Sequence, residues 1–453
     1  ARYEVRLTRT DPKDTGSNVG HDLVWAGLRA YHPGTNGYGQ LTVLALRMRA
    51  SNQLSQIAAR RVNVIVTRKL PVWDGASWSA PQATRSIAWA IADMLRADYG
   101  AHLPDSRIDL AGLLALDGVW SARQDYYDAV HDSVQTVWEA VTQAARAGRA
   151  LPYLQGGIVH VVRDSAQSVP VQLYSVRNIV RNSLSLDYAM PSDQTADAVD
   201  VEYFDAEVWA PRTVRAALPD SSAAKPATVR LFGVTSRDQA WREGMYMAAA
   251  NRYRRRHLVF STEMEGFIPS LGDLIAISHD MPRWGQSGEV VDWDPDTLTL
   301  TVSEPLRWSD SGAHYIALRR RDGAIDGPYA VTPGLQVDQA ILAQTPAIPI
   351  DVGGARERTH YAFGAGSALY ILARVAGIRP RSPERVEIAA VVESDAVHTA
   401  DLGVPPGPGA WQLPTDFTVP VVEGLLVRSS PSDAFDARLT WRPAPGAERY
   451  LIE

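Results

Sequence analysis

The chain has 453 residues, a formal net charge of −6 and no cysteine. The lack of thiols excludes disulfide scaffolds, thiolate zinc sites, iron–sulfur ligation and cysteine nucleophiles. The acidic balance argues against a duplex nucleic-acid binder, which would carry a basic excess, while leaving room for a local patch. At about 100–200 residues per domain, the length predicts three or four domains. The 45% apolar and 21% charged residues are ordinary for a folded chain and exclude wholesale disorder. The longest apolar runs are of strand length, short of the ~20 residues of a membrane-spanning helix. Ala1–Arg6 has no signal-peptide character, and the missing initiator methionine points to a chain that starts mid-protein or has been processed.

Residues 1–70 read as β-rich. Tyr3, Val5 and Leu7 alternate with charged and polar neighbours, Leu41–Arg49 forms a second strand and Val62–Thr67 a third. Residues 71–150 change to helical periodicity. Ala83, Ile87, Ile91, Met94 and Leu95 share a face of a helix within 82–101, Asp109–Trp120 is a second helix, and Ser133–Ala147 is a third. In the third, Val134, Val137, Trp138 and Val141 form the expected buried stripe and Gly148 the stop. Residues 151–268 return to α+β, with strands at 157–164 and 199–204, a proline-bounded loop at 211–226, a long helix at 239–256 and a strand at 257–262. Residues 269–334 read as a small β-barrel, with a strand at Asp273–Ser278 and a hairpin turning at Asp294-Pro295-Asp296. Residues 335–402 are β-rich again and end in Val386–Glu393, and 403–419 is a linker opening on Gly403–Gly409. The fold class is therefore α+β, predominantly β, and multidomain.

In the last segment, 420–453, Leu439-Thr440-Trp441 is followed by a turn with proline and glycine and then Tyr450-Leu451-Ile452. This resembles the first three strands of a fibronectin type III domain. Such a sandwich needs about 100 residues and two sheets, so the polypeptide is expected to continue beyond Glu453.

Few constellations suit catalysis. The histidines show no His-Glu-x-x-His or EF-hand spacing, and His131-Asp132 and His279-Asp280 are adjacent pairs that read as surface or turn positions. Asp128, His131 and Ser133 contain triad residue types but sit together where helix caps are common. Glu243, Glu263 and Glu265 do not single out the separated carboxylate pair of a glycosidase. Gly364-Ala365-Gly366-Ser367 reads as a turn between strands, not a phosphate loop. Arg252, Arg254, Arg255 and Arg256 with Tyr253 form a basic cluster at a helix end, and Arg319, Arg320 and Arg321 form a second. Complementing the helix dipole, lining a subunit interface and contacting nucleic acid all remain open for the first cluster, and the same range is open for the second. No catalytic, cofactor-binding or metal-binding residue is assigned. The 13 tryptophans favour a large assembly.

The ordered set of segments resembles the tail-tip hub proteins of long-tailed bacteriophages, the host-specificity protein J group. The residues that carry it are Asp22-Leu23-Val24-Trp25, Arg47-Met48-Arg49-Ala50, the stretches Val134–Asp164 and Leu231–Asp280, and the linker into a fibronectin-like segment. Leu271-Gly272-Asp273 to Asp280 is the most specific part. The resemblance implies a non-enzymatic homotrimer at the tail tip of the virion, assembled in the host cytoplasm. It would close the tail tube, meet the distal tail, tail-tip and tape measure proteins, and open for transient passage of DNA. No stable nucleic-acid binding is implied, and host-receptor contacts would lie beyond Glu453. Two other readings stand beside it: an extracellular carbohydrate-active enzyme with a fibronectin module, and a cell-surface adhesin built of β-modules.

Overall fold

The computed structural model describes residues 64–405 except 193–194 and 310–311, the backbone of 426–430 and 433–440, and isolated positions outside these ranges. The chain divides into two units, 1–66 and 67–453, and the elements below belong to the second. Apart from isolated positions, the strands expected before residue 62, the motifs around Trp25 and Arg47, Trp441 itself and the strand around Tyr450 lie outside the described residues. Of the third expected strand, positions 64–67 are described and are not in a strand. Pairing begins with β1 (Lys69–Leu70) against β2 (Gln82–Ala83).

Three helices follow, each started by a side-chain cap. α1 (Ile87–Arg96) is capped by Ser86, which accepts from the Trp89 backbone N–H, and α2 (Leu110–Arg123) by Asp109, which accepts from that of Gly112. α3 (Val137–Arg146) opens on a capping box in which Thr136 and Glu139 satisfy each other's backbone N–H groups. That box moves the helix start past Val134, so the expected stripe is corrected. Val134 is wholly exposed and Trp138 is 41% exposed, while Ala140, Val141, Ala144 and Ala145 form the buried face. Small alanines there let α3 approach α1 closely.

The hairpin β3 (Ala150–Gln155) and β4 (Ile158–Arg163) turns at Gly156-Gly157, both with positive φ. β5 (Gln172–Ser175) and β6 (Ser185–Tyr188) come next, then β7 (Ala198–Asp205), β8 (Ala210–Ala217) and β9 (Pro226–Arg230). The last three form a sheet in the order β8-β7-β9. The loop expected at 211–226 is thus strand over its first seven residues, 211–217, and loop from 218 to 225. β8 is an edge, where Pro211 costs no ladder bond on its open side, and Arg215 reaches Asp200 across the pair. α4 (Arg237–Tyr253) lies on this sheet at Gly244, where an added Cβ would come within 2.7 Å of Val201 and Ala216. α1–α3, the β3–β4 hairpin, this sheet and α4 share one hydrophobic core.

β10 (Arg256–Thr262) and β11 (Leu274–Ser278) lead to β12 (Gln286–Asp294), β13 (Thr299–Val302), β14 (His314–Arg319), β15 (Ile325–Pro333), β16 (Gln339–Leu342) and β17 (His360–Ala365). β18 (Ile371–Ser382), β19 (Arg385–Val392) and the short α5 (Ala396–Thr399) complete the unit, and β20 (Leu426–Ser430) pairs with β21 (Asp433–Thr440). Six strands form a sheet in the order β5-β11-β18-β19-β10-β6, and six more close a barrel, β12-β13-β16-β15-β14-β17. The barrel therefore runs over 286–365, later than the 269–334 expected. Its closure needs β17 paired to both β12 and β14, a long-range match with no local signature. β11 belongs to the sheet. All five of its residues are buried because Ile275 and Ile277 face one core while Ala276 faces Ala317 and Ala362 of the barrel. Burial on both faces is why its sequence is an unbroken apolar run.

Gly148, just past α3, accepts the Trp120 indole N–H on its carbonyl at 2.8 Å. A Cβ there would lie 2.3 Å from the same buried ring nitrogen and 2.8 Å from Ile87. Gly148→Ala is expected to destabilise the protein by about 1–3 kcal/mol through overpacking, read as a lower urea midpoint with unchanged m-value.

Candidate functional site

The residues with triad chemistry do not converge. The Asp128 carboxylate is taken by Arg85 and by the Thr235 hydroxyl, whereas the His131 ring nitrogens meet the Tyr127 hydroxyl and the Gln135 side chain. His279 and Asp280 do contact each other, Nδ1 to Oδ1 at 3.1 Å, contrary to the opposite-face expectation, because they sit in a tight turn closed by His279 and Trp284. Glu265 accepts from Arg319, Gln172 and Thr262. The second arginine cluster is dispersed: Arg319 turns to Glu265, Arg320 to Asp326 and Arg321 to Asp351. The first disperses in part as well, since Arg252 pairs with Asp220 and Arg255 donates to the Asn251 carbonyl near the end of α4. Gly364 lies within β17 and Gly366 starts a 3-10 turn with φ +54°, so that stretch is a strand end and turn.

Arg254 centres one enclosed group of charges. It ends α4 and turns inward, its guanidinium donating to both oxygens of Asp164 and both of Glu393. Arg374 of β18 donates to Glu393 at 2.7 Å and anchors the carbonyls of Gly272 and Ser165 at 2.8 and 2.7 Å. His398 of α5 places Nε2 3.2 Å from Arg254 and 3.4 Å from Glu393. Asp164, Glu393 and His398 could each turn a ligand atom toward a common point. Both carboxylates, however, are held on every oxygen by two guanidinium groups, and a divalent cation would have to displace Arg254. The chemistry of the group fits an ion-pair cluster.

A second chain of charges runs beside it. Arg242 meets Asp125 at 2.7 Å, Asp125 meets Arg123 at 2.8 Å, and Arg123 meets Asp401 at 2.8 Å. Asp401 also accepts from Arg149, which holds Glu243 through two bonds of 3.0 and 3.2 Å. Tyr246 joins the two groups: its ring lies under the Arg149 guanidinium, 4.2 Å from the centroid, and its hydroxyl donates to Asp164. Together they form a seam between the helical layer, through α2, α4 and β4, and the six-stranded sheet, through β18, β19 and α5. The segment Glu393–Asp401 enters both groups.

Burial and pairing pull these groups in opposite directions. Burial pushes Asp401 up, but Arg149 and Arg123 outweigh it and hold the carboxyl below its usual range. Asp164 is held low in the same way by Arg254 and Arg374, and Glu393 by His398, Arg374 and Arg254. At Glu243, 1% exposed, burial prevails over Arg149 and the carboxyl is pushed up.

The Leu271–Asp280 motif also belongs to this region. Gly272 has φ +84°, and a Cβ there would come within 2.7 Å of Val162; its N–H bonds the Val375 carbonyl at 2.9 Å. Asp273 caps the turn by accepting from the Ser270 N–H at 2.7 Å. The motif opens on a turn that seats β4 against β18 and continues as β11.

Residues 156–290 match the model of a family described as "Putative phage tail protein". That stretch of the chain is similar to phage tail proteins. It holds α4, β10, β11 and the Gly272 turn, and so much of the seam. Three solved structures are also similar. One is a protein of the virion of a native gene transfer agent particle, at 13% identity and TM-score 0.39, over 71% of this chain and 49% of that one. The second is a tail protein from Neisseria meningitidis, at 12% and 0.31, over 64% and 68%. The third is a prophage tail protein from Shewanella oneidensis, at 11% and 0.23, over 63% and 64%. The chain spans about half the length of the gene transfer agent protein it matches.

Removing the shared carboxylate in Asp401→Ala leaves Arg149 and Arg123 short of a counter-charge. It is expected to cost about 3–5 kcal/mol, measured by urea unfolding. Asp164, Glu393 and Asp401 have folded pKa values below their unfolded ones of about 3.9–4.3. Their stabilisation is therefore complete above that range and is lost as pH falls through the folded values. The melting temperature should hold from neutral pH down to about pH 5 and then drop steeply. Asp401→Asn should make that acid-side drop shallower.

Proposed function

We propose that this chain is a structural protein of a bacteriophage tail and that it forms the hub of the tail tip as a homotrimer. The match of residues 156–290 to a phage tail family carries the reading. The ordered motifs that resemble the tail-tip hub group add the finer placement. The chemistry agrees with a structural role, because the buried charged side chains of the seam other than Arg163 are engaged with one another across layers. The β6 and β8 strands leave exposed sheet edges, with Tyr188 half exposed on β6. A closed cyclic assembly covers such edges.

In this reading the hub closes the tail tube, contacts the distal tail, tip and tape measure proteins, and moves aside as DNA leaves. Antibody raised against residues 67–405 should label one end of the particle in electron micrographs, at the tail tip. Deleting the gene should leave particles without complete tails, and the purified protein should sediment as a trimer. Label spread over the tail shaft or head, or intact infective tails after deletion, would sink the placement.

A further inference from the structure

Among the described residues, two sheets end in open strands of opposite charge. β6 ends the six-stranded sheet and pairs on one side only, with β10. Its Asp187 is exposed and forms no ion pair among the described residues, and the exposed Tyr188 and Met190 follow it. β8 ends the three-stranded sheet and pairs on one side only, with β7. Its Arg212 is exposed and likewise forms no ion pair among the described residues, although Asp205 lies near enough to feel its charge.

The hairpin tip that leads into β8 exposes Phe204, Val208 and Trp209. Trp209 has φ +54°, a left-handed conformation that glycine adopts freely and a bulky side chain only at a cost. Its edge-on contact with the Phe204 ring offsets part of that cost and still leaves Trp209 55% exposed. A turn that served the hairpin alone would be better made with glycine.

An open edge offers its backbone N–H and C=O groups to another strand. Like edges are poor partners here: β8 on β8 brings arginine toward arginine, and β6 on β6 brings aspartate toward aspartate. The remaining outer strands offer less. β5 already donates the Leu173 N–H to the Gly323 carbonyl of a barrel turn, and β9 has no exposed large apolar side chain.

We propose that β6 of one copy of this chain pairs with β8 of the next, so that the two sheets run on as one across the boundary between protomers. Asp187 then comes within ion-pair reach of Arg212, and the exposed aromatic side chains beside the two edges are covered. The contact joins two different surfaces, so its repetition turns a ring and not a closed pair. That the ring holds three copies rests on the trimeric reading above; which strands meet goes beyond it.

Both charged positions are exposed, so exchanging them leaves the fold intact. In sedimentation velocity of the full chain, Asp187→Arg and Arg212→Asp should each weaken assembly about tenfold or more, because each sets like charges across the boundary. The two exchanges together should restore it. Trp209→Gly, which relieves the backbone, should weaken assembly as well. The chain has no cysteine, so Asp187→Cys combined with Arg212→Cys should on oxidation link protomers to one another through the only thiols present. A trimer that survives both single exchanges unchanged overturns the pairing and leaves the trimeric reading standing. Single exchanges that weaken assembly without rescue by the double one overturn the pairing, as does a disulfide closed within one protomer. Rescue in an assembly of another size supports the pairing and overturns the trimer. A wild type that stays monomeric at every concentration overturns both.

Discussion

The hold of two buried arginines, Arg149 and Arg254, on carboxylates from distant parts of the chain is the constraint on which the rest of this unit depends. Arg149 follows α3 and Arg254 ends α4, yet their partners Asp401 and Glu393 come from the segment that leaves the six-stranded sheet. A hydrophobic contact between the layers would tolerate sliding, because it has no direction. Guanidinium–carboxylate pairs with two or more bonds do not, since each fixes angle as well as distance. The seam therefore sets the register of one layer on the other, and it does so at a desolvation cost that apolar side chains would not carry.

The sheet and the barrel are joined in a different way. β11 is buried on both faces, with a core of aromatic and branched side chains on one side. On the other side Ala276 packs against Ala317 and Ala362 of the barrel, flanked by the larger Leu173 and Leu369. Small side chains let two strand layers approach closely. The unit thus combines an ionic junction toward the helices with a largely apolar one toward the barrel, where Arg319 also pairs with Glu265, and the six-stranded sheet stands between them.

This arrangement suits a protein whose work is to hold shape in a larger body. A network of charges lies inside, most of them paired, and the exposed features include strand edges and single apolar side chains such as Leu335 and Trp209. A structural part of a phage tail needs fixed layers and surfaces for neighbours.

The sequence by itself determined what depends on near neighbours along the chain. The α+β, mainly β class, the helices near 87–96, 110–123 and 237–253, and the strands at 256–262, 274–278 and 385–392 all follow from periodicity, caps and β-branched runs. The inward turn of Arg254 was not legible: its place in a run of arginines looked like a basic surface, and its partners lie 90 and 139 residues away. Asp401 and Arg149, 252 residues apart, carry no local signal at all. The extent of the barrel was missed for the same reason, since β17 closes it from beyond the hairpins that announce it. Local propensity acts over one or two turns of chain, whereas buried charge pairing and barrel closure are satisfied only when remote segments meet. The tertiary structure alone decided which charges would be enclosed, and which one, Arg163, would be left without a partner.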